Sequence, residues 1–172
     1  MVDTALKSGE WQTFFDFMAA TDDIALIKLS APVRDIAPVR IHESPAVGRV
    51  VRIMGRGATG TGLKGHLHSP HRTDLRQGYN EITLSEGRWI GYAFDAPPDA
   101  LPLEAITASG DSGGPILLKV DNEWRLAGVA AWKRAQVNGT EIYPGRYGEE
   151  SYGVRLAYYA DWIATTTREG TD

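Results

Sequence analysis

Short apolar runs, each closed by Gly, Pro or Asp, dominate this chain and leave little room for long helices. Six of them are Val47–Met54 (VGRVVRIM), Asn80–Leu84 (NEITL), Arg88–Phe94 (RWIGYAF), Pro115–Val120 (PILLKV), Trp124–Trp132 (WRLAGVAAW) and Ser151–Leu156 (SYGVRL). The 19 glycines and 9 prolines serve as punctuation and form no repeat. Six strands at this spacing predict a small all-β barrel or sandwich. Ile24–Leu29 (IALIKL) reads as a further, buried strand, and Trp11–Met18 (WQTFFDFM) as another if it is extended. Ser30–Pro45, with three prolines, reads as an extended connector. One or two strands make no stable unit alone. The organisation expected is therefore lopsided: residues 1–30 are a remnant of one β unit, 31–46 a connector, and 47–172 a complete β-barrel. Ala157–Arg168 has apolar residues at Tyr159, Trp162 and Ile163, the spacing of a short amphipathic terminal helix.

Composition removes several function classes. The 172 residues carry a net charge of −4, with 42% hydrophobic and 23% charged side chains, an ordinary globular balance. No basic stripe argues for nucleic acid, and neither a Lys/Arg-rich amphipathic segment nor a long apolar run argues for a membrane. With no cysteine, disulfides and thiolate chemistry are excluded, and either redox compartment is compatible. MVDTALKSGEWQTFFDF has no basic region followed by an apolar run, so it is not read as a signal peptide. His42 follows the connector and is expected on its surface. His66, His68 and His71 sit in HLHSPH, a polar, glycine-flanked loop. No Cys, Asp or Glu stands at ligand spacing within that cluster, so no metal and no cofactor are expected.

The densest chemistry is ASGDSGGP, Ala108–Pro115. A serine hydroxyl attacks well only when a base takes its proton, and acyl transfer also needs N–H donors aimed at the developing oxyanion. Glycines around Ser112 allow a tight loop in which the N–H groups of Gly110 and Ser112 converge. Gly114-Pro115 then releases the chain into PILLKV.

Gly110–Pro115 resembles, residue for residue, the signature of the chymotrypsin/trypsin-like serine proteases, and other stretches follow in the family's order. TDDIALIKL (Thr21–Leu29) resembles the segment carrying the triad aspartate, which would be Asp23. Gly55-Arg56-Gly57 resembles the Gly-Trp-Gly after the first strand of the second barrel, with Arg56 for Trp. GVAAW (Gly128–Trp132) resembles the strand lining the substrate cleft. YADWI (Tyr159–Ile163) resembles the terminal helix. GATGTG (Gly57–Gly62) is similar to bacterial members. The resemblance implies an all-β, chymotrypsin-like antiparallel barrel, the second of the family's two, with a remnant of the first and a short C-terminal helix. It implies a serine endopeptidase acting on polypeptides through Ser112, secreted or periplasmic.

The resemblance also implies residues that this sequence lacks. The family histidine precedes the triad aspartate, yet none of the 22 residues before Asp23 is histidine. About the first third of a domain of roughly 200–250 residues is expected to be missing, and with it the terminal ammonium that pairs in the family with the aspartate before the nucleophile, here Asp111. The specificity-pocket floor, six residues before Ser112, is Ile106, which cannot select Arg or Lys side chains. The pocket edge is Ala131-Trp132-Lys133, where Lys133 replaces a glycine and could narrow the mouth, attract an acidic side chain or point to solvent. Three readings follow: a serine endopeptidase whose sequence is incomplete and whose first barrel is missing, a pseudo-protease that binds protein in the cleft without cutting it, and a non-functional fragment whose unpaired edge at Ile24–Leu29 would aggregate.

Overall fold

Short strands build this molecule: Val50–Gly55 and Arg76–Glu81 bury alternate residues, while Trp89–Ala93 and Pro115–Val120 bury four and three in a row. The computed structural model describes residues 10–44, 46–67, 74–138 and 141–169. In chain order these form α1 (Glu10–Ala20), β1 (Arg40–Ile41), β2 (Val50–Gly55), β3 (Gly60–Thr61), β4 (Gly65–His66), β5 (Arg76–Glu81), β6 (Leu84–Glu86), β7 (Trp89–Ala93), β8 (Pro115–Val120), β9 (Glu123–Arg134), β10 (Gln136–Asn138), β11 (Glu141–Tyr143), β12 (Glu150–Arg155), a 3₁₀ turn (Leu156–Tyr159) and α2 (Ala160–Glu169). The main sheet runs β5-β2-β8-β9-β12-β7-β6, antiparallel throughout, with β1 added parallel to β9.

The sheet curls because β5 and β6 act as one bent strand. β5 pairs with β2 and β6 with β7. At the bend, the Ile82 N–H still donates to Arg49 O (3.0 Å) while the Thr83 N–H donates to Gly91 O (2.9 Å). A strand that changes partner in this way joins the sheet's two ends. Bulges at Ile116/Leu117 and Tyr152/Gly153 add the curvature that closure needs. Val51, Ile53, Ile82, Ile90, Tyr92, Ile116 and Leu118 fill the interior, all buried. The chain thus has a mostly β half-barrel with a short C-terminal helix, consistent with the chymotrypsin-like fold that the resemblance implied.

The N-terminal expectations are corrected. Trp11–Met18 lies within α1; Trp11, Phe14, Phe15 and Met18 fall at i, i+3, i+4 and i+7, a helical spacing. Phe15 is buried, and the helix's last carbonyls receive bonds from the barrel: Trp89 Nε1 donates to Ala19 O (2.8 Å) and Arg88 Nη1 to Ala20 O (3.1 Å). Ile24–Leu29 forms no strand and is mostly exposed, Ile27 to 84%. Its composition suits a buried strand, but a strand needs a ladder, and no described strand pairs with it. Only its beginning is docked, with Ile24 against the cluster of Trp89, Val154 and Tyr159. His68 and His71 lie outside the described residues.

One buried polar side chain stitches the barrel to the segment that leads to Ser112. Asn80 Nδ2, 2% exposed, donates to Ala93 O (2.7 Å) on β7 and to Ala105 O (3.0 Å). Asn80→Ala leaves two carbonyls without a donor and should cost about 2–4 kcal/mol, read as a fall in the urea midpoint with an unchanged slope; an unchanged midpoint would show that Asn80 holds nothing.

Candidate active site

The residues entering the Ser112 loop are fastened one after another. Glu104 accepts from the N–H groups of Asp95 and Leu101, the Ala105 N–H donates to Tyr79 O (2.9 Å), and the Thr107 hydroxyl bonds that of Ser151. Tyr92 completes this buried hydroxyl cluster, and burial pushes its phenol up to about 12 despite hydrogen bonds from Thr107 and Ser151. Chain direction then reverses at Ala108–Gly114, where Gly110 (φ 95°) and Gly113 (φ 80°) take backbone conformations that other residues resist.

Asp111 holds this loop from within. Its Oδ1 accepts from the Gly57 N–H (2.7 Å) and its Oδ2 from the Ala108 N–H (2.8 Å). The Ala58 N–H donates to Ser109 O (2.8 Å), and the Gly113 N–H to Ala130 O (2.8 Å) on β9. Gly55-Arg56-Gly57 therefore acts as a cradle: a Cβ on Gly55 would lie 1.9 Å from Asp111 Oδ1. Arg56 is exposed beside it.

Held this way, Ser112 stands exposed at the head of β8. Among the described residues, the N–H groups of Gly110 and Ser112 donate to no protein acceptor. A cavity of about 140 Å³ opens beside the serine, lined by Thr107, Ala108, Ser109, Ser112, Ala130, Ala131, Trp132 and Lys133. The sequence-expected serine and pocket edge thus meet in one place. Ile106 is not on that lining: it lines a second cavity, of about 210 Å³, and packs on the barrel core. Its neighbour Thr107 lines both cavities. The Asp111 carboxylate borders that second cavity.

Asp23 is exposed and does not join the Ser112 cavity. Asp22 is the more engaged of the two, accepting from the Tyr159 hydroxyl and pairing with Arg88 Nε at 3.1 Å. Lys133 neither reaches solvent freely nor stands unpaired. Its ammonium lies 2.8 Å from Oε1 of Glu149 and 3.2 Å from Nε2 of His66. No histidine among the described residues lines the Ser112 cavity, and His42 lies partly buried beside β1. Among the described residues, no group of His, Asp and Glu is placed to hold a metal ion, and no helix is long and apolar enough to cross a membrane. Sequence reasoning missed Glu149, Thr107, Ser151 and Tyr92. Only RWIGYAF, read as a strand, held a signal for one of them, Tyr92.

Sheet and loop together have the form of one half of a chymotrypsin-like serine protease fold. The chain belongs to the trypsin family, whose model matches residues 8–163. It is similar to the snake venom serine protease rhinocerase 4 of Bitis rhinoceros (34% identity over 82% of this chain and 52% of that one). It is also similar to the snake venom serine protease ussurin of Gloydius ussuriensis (27%; 87% and 61%) and to a venom plasminogen activator of Agkistrodon piscivorus leucostoma (28%; 87% and 56%). These relatives are from snakes, so the bacterial likeness read from GATGTG finds no support in them. The chain spans between about half and three fifths of their lengths.

Two outcomes follow from this geometry. Gly55→Ala should destabilise the fold by about 1–3 kcal/mol through overpacking, and much less in an Asp111→Ala background, where the clash is gone; additive losses in that double-mutant cycle would show that Gly55 does not serve Asp111. Tyr92 ionises near 10 when unfolded but near 12 when folded, so its stabilisation is complete below pH 10 and is lost as pH rises toward 12. Tyr92→Phe should flatten the alkaline fall in stability by up to about 1.4 kcal/mol per pH unit, measured by denaturant melts from pH 9 to 12; an unchanged slope would place the phenol in water.

Proposed function

We propose that Ser112 is the nucleophile of a serine endopeptidase of the trypsin type. Ser112 Oγ bonds to the carbonyl carbon of a peptide, the amide C–N bond breaks, and water hydrolyses the resulting acyl-enzyme. The N–H groups of Gly110 and Ser112 receive the oxyanion. Ala131, Trp132 and Lys133 seat the substrate, with Ile106 closing the inner side of the loop. The observation that carries this reading is the exposed Ser112 on a loop pinned at both ends, with two N–H groups that donate to no described residue and a cavity beside it.

The proton of Ser112 needs a base, and in this reading a histidine reaches it from outside the described residues, oriented by Asp23. A first barrel would supply that histidine and would cover Ile24–Leu29. The second cavity gives a terminal ammonium an approach to Asp111. The venom relatives support a secreted protein. A second reading, a pseudo-protease that binds polypeptides in the same cleft, is favoured by the lack of any described histidine on the Ser112 cavity.

Loss of a triad member generally leaves about 10³–10⁴-fold catalysis over water, so the 172-residue chain should be labelled slowly by a fluorophosphonate. Added imidazole supplies a base in solution and should speed the labelling, and Ser112→Ala should abolish it. Labelling unaffected by Ser112→Ala, or none at any imidazole concentration, would reject the endopeptidase reading in favour of binding alone.

A further inference from the structure

Among the described residues, Lys133 is the one charged residue on the lining of the Ser112 cavity. An ammonium in that position would by itself draw an acidic side chain into the cavity and repel a basic one. Its partners change that expectation. The Glu149 side chain is fully buried, and that of Lys133 only 18% exposed, so water screens little of their 2.8 Å contact. Glu149 is itself fixed: its second carboxylate oxygen accepts from the Gly145 N–H, its own N–H donates to Arg146 O (3.1 Å), and its carbonyl accepts from the Phe94 N–H (2.9 Å). Lys133 donates to Nε2 of His66 as well. An ammonium can only donate, so that ring nitrogen accepts, and the imidazole proton sits on Nδ1. Lys133 is thereby held by two partners that both lie off the cavity's lining.

We propose that Glu149 sets the charge preference of the Ser112 cavity: by neutralising the Lys133 ammonium on its wall, it makes the cavity a seat for an uncharged side chain of a bound peptide. Glu149 is a positioning residue in this scheme, acting through Lys133. The other lining groups, three alanines, the Trp132 ring and the Thr107, Ser109 and Ser112 hydroxyls, carry no charge that could oppose this. The inference rests on the peptide cleft proposed above.

Three dye-labelled tetrapeptide amides, alike except for a final norvaline, glutamate or lysine, provide the test through fluorescence polarisation on the full chain and its Ser112→Ala variant, neither of which needs to catalyse. The norvaline peptide should bind at least about tenfold tighter than the other two, a difference of about 1.4 kcal/mol. Glu149→Gln releases the ammonium and should bring the glutamate peptide level with norvaline or ahead of it. Lys133→Met leaves the carboxylate and should favour lysine. Lys133→Met/Glu149→Gln, uncharged and close in shape, should restore the original ranking, and it keeps the test alive if either single variant fails to fold by circular dichroism: a glutamate or lysine preference in the folded double variant overturns the proposal. A preference for glutamate in the unaltered chain, or a ranking unmoved by Glu149→Gln, overturns it while leaving the cleft intact. Binding of none of the three peptides overturns the cleft itself, and the inference with it.

Discussion

The carboxylate of Asp111 is the contact on which the candidate site depends. A loop with two glycines at positive φ has no preference of its own for the shape that exposes Ser112. Asp111 supplies that preference by accepting from Gly57 on one side and Ala108 on the other, so the loop is tied both to itself and to the end of β2. Charged acceptors make stronger bonds than neutral ones. The N–H groups of Gly110 and Ser112 donate to no described acceptor, while those of Gly113 and Gly114 take the structural bonds to Ala130 O and Asp111 O.

This arrangement explains which parts of the molecule were legible in its sequence. Strands such as PILLKV and SYGVRL announced themselves as short apolar runs bounded by turn residues, and β8 and β12 fall where those runs lie. The Ser112 loop was legible because its glycines answer local geometric demands. The cradle at Gly55-Arg56-Gly57 was noticed only as a likeness; its use, room for the Asp111 carboxylate, depends on two segments 54 residues apart coming together. Ile106 illustrates the limit of counting. Six residues before Ser112 lands on a residue that lines only the second cavity, while Thr107, one step on, lines both that cavity and the one beside the serine.

The N-terminal segment was misread for a different physical reason. IALIKL carries the composition of a buried strand, but composition states only what a segment would do with neighbours on both sides. Beside the described barrel it has a docking point at Ile24 and, beyond that, exposed apolar side chains. WQTFFDFM is a strand only if it is extended, and its composition leaves that open because aromatics suit both strands and amphipathic helices. What decides is their period, and four apolar residues at 11, 14, 15 and 18 put one stripe on a helix.

That helix reaches the candidate site through aromatic rings. Phe15 stacks on Trp132 (centroids 6.4 Å apart), and Trp132 stacks on Tyr152 at 4.2 Å and meets Trp89 edge-on at 5.7 Å. Trp132 lines the Ser112 cavity, so one wall of that cavity is buttressed by the segment just before Asp23. The opposite anchoring, Lys133 to Glu149, comes from the turn before β12. Two neighbouring residues on β9 are thus fixed by distant parts of the chain, one through dispersion and burial, the other through charge. A substitution in α1 and one at Glu149 act on the same cavity wall by independent physical routes, and their effects on that wall can be separated for that reason.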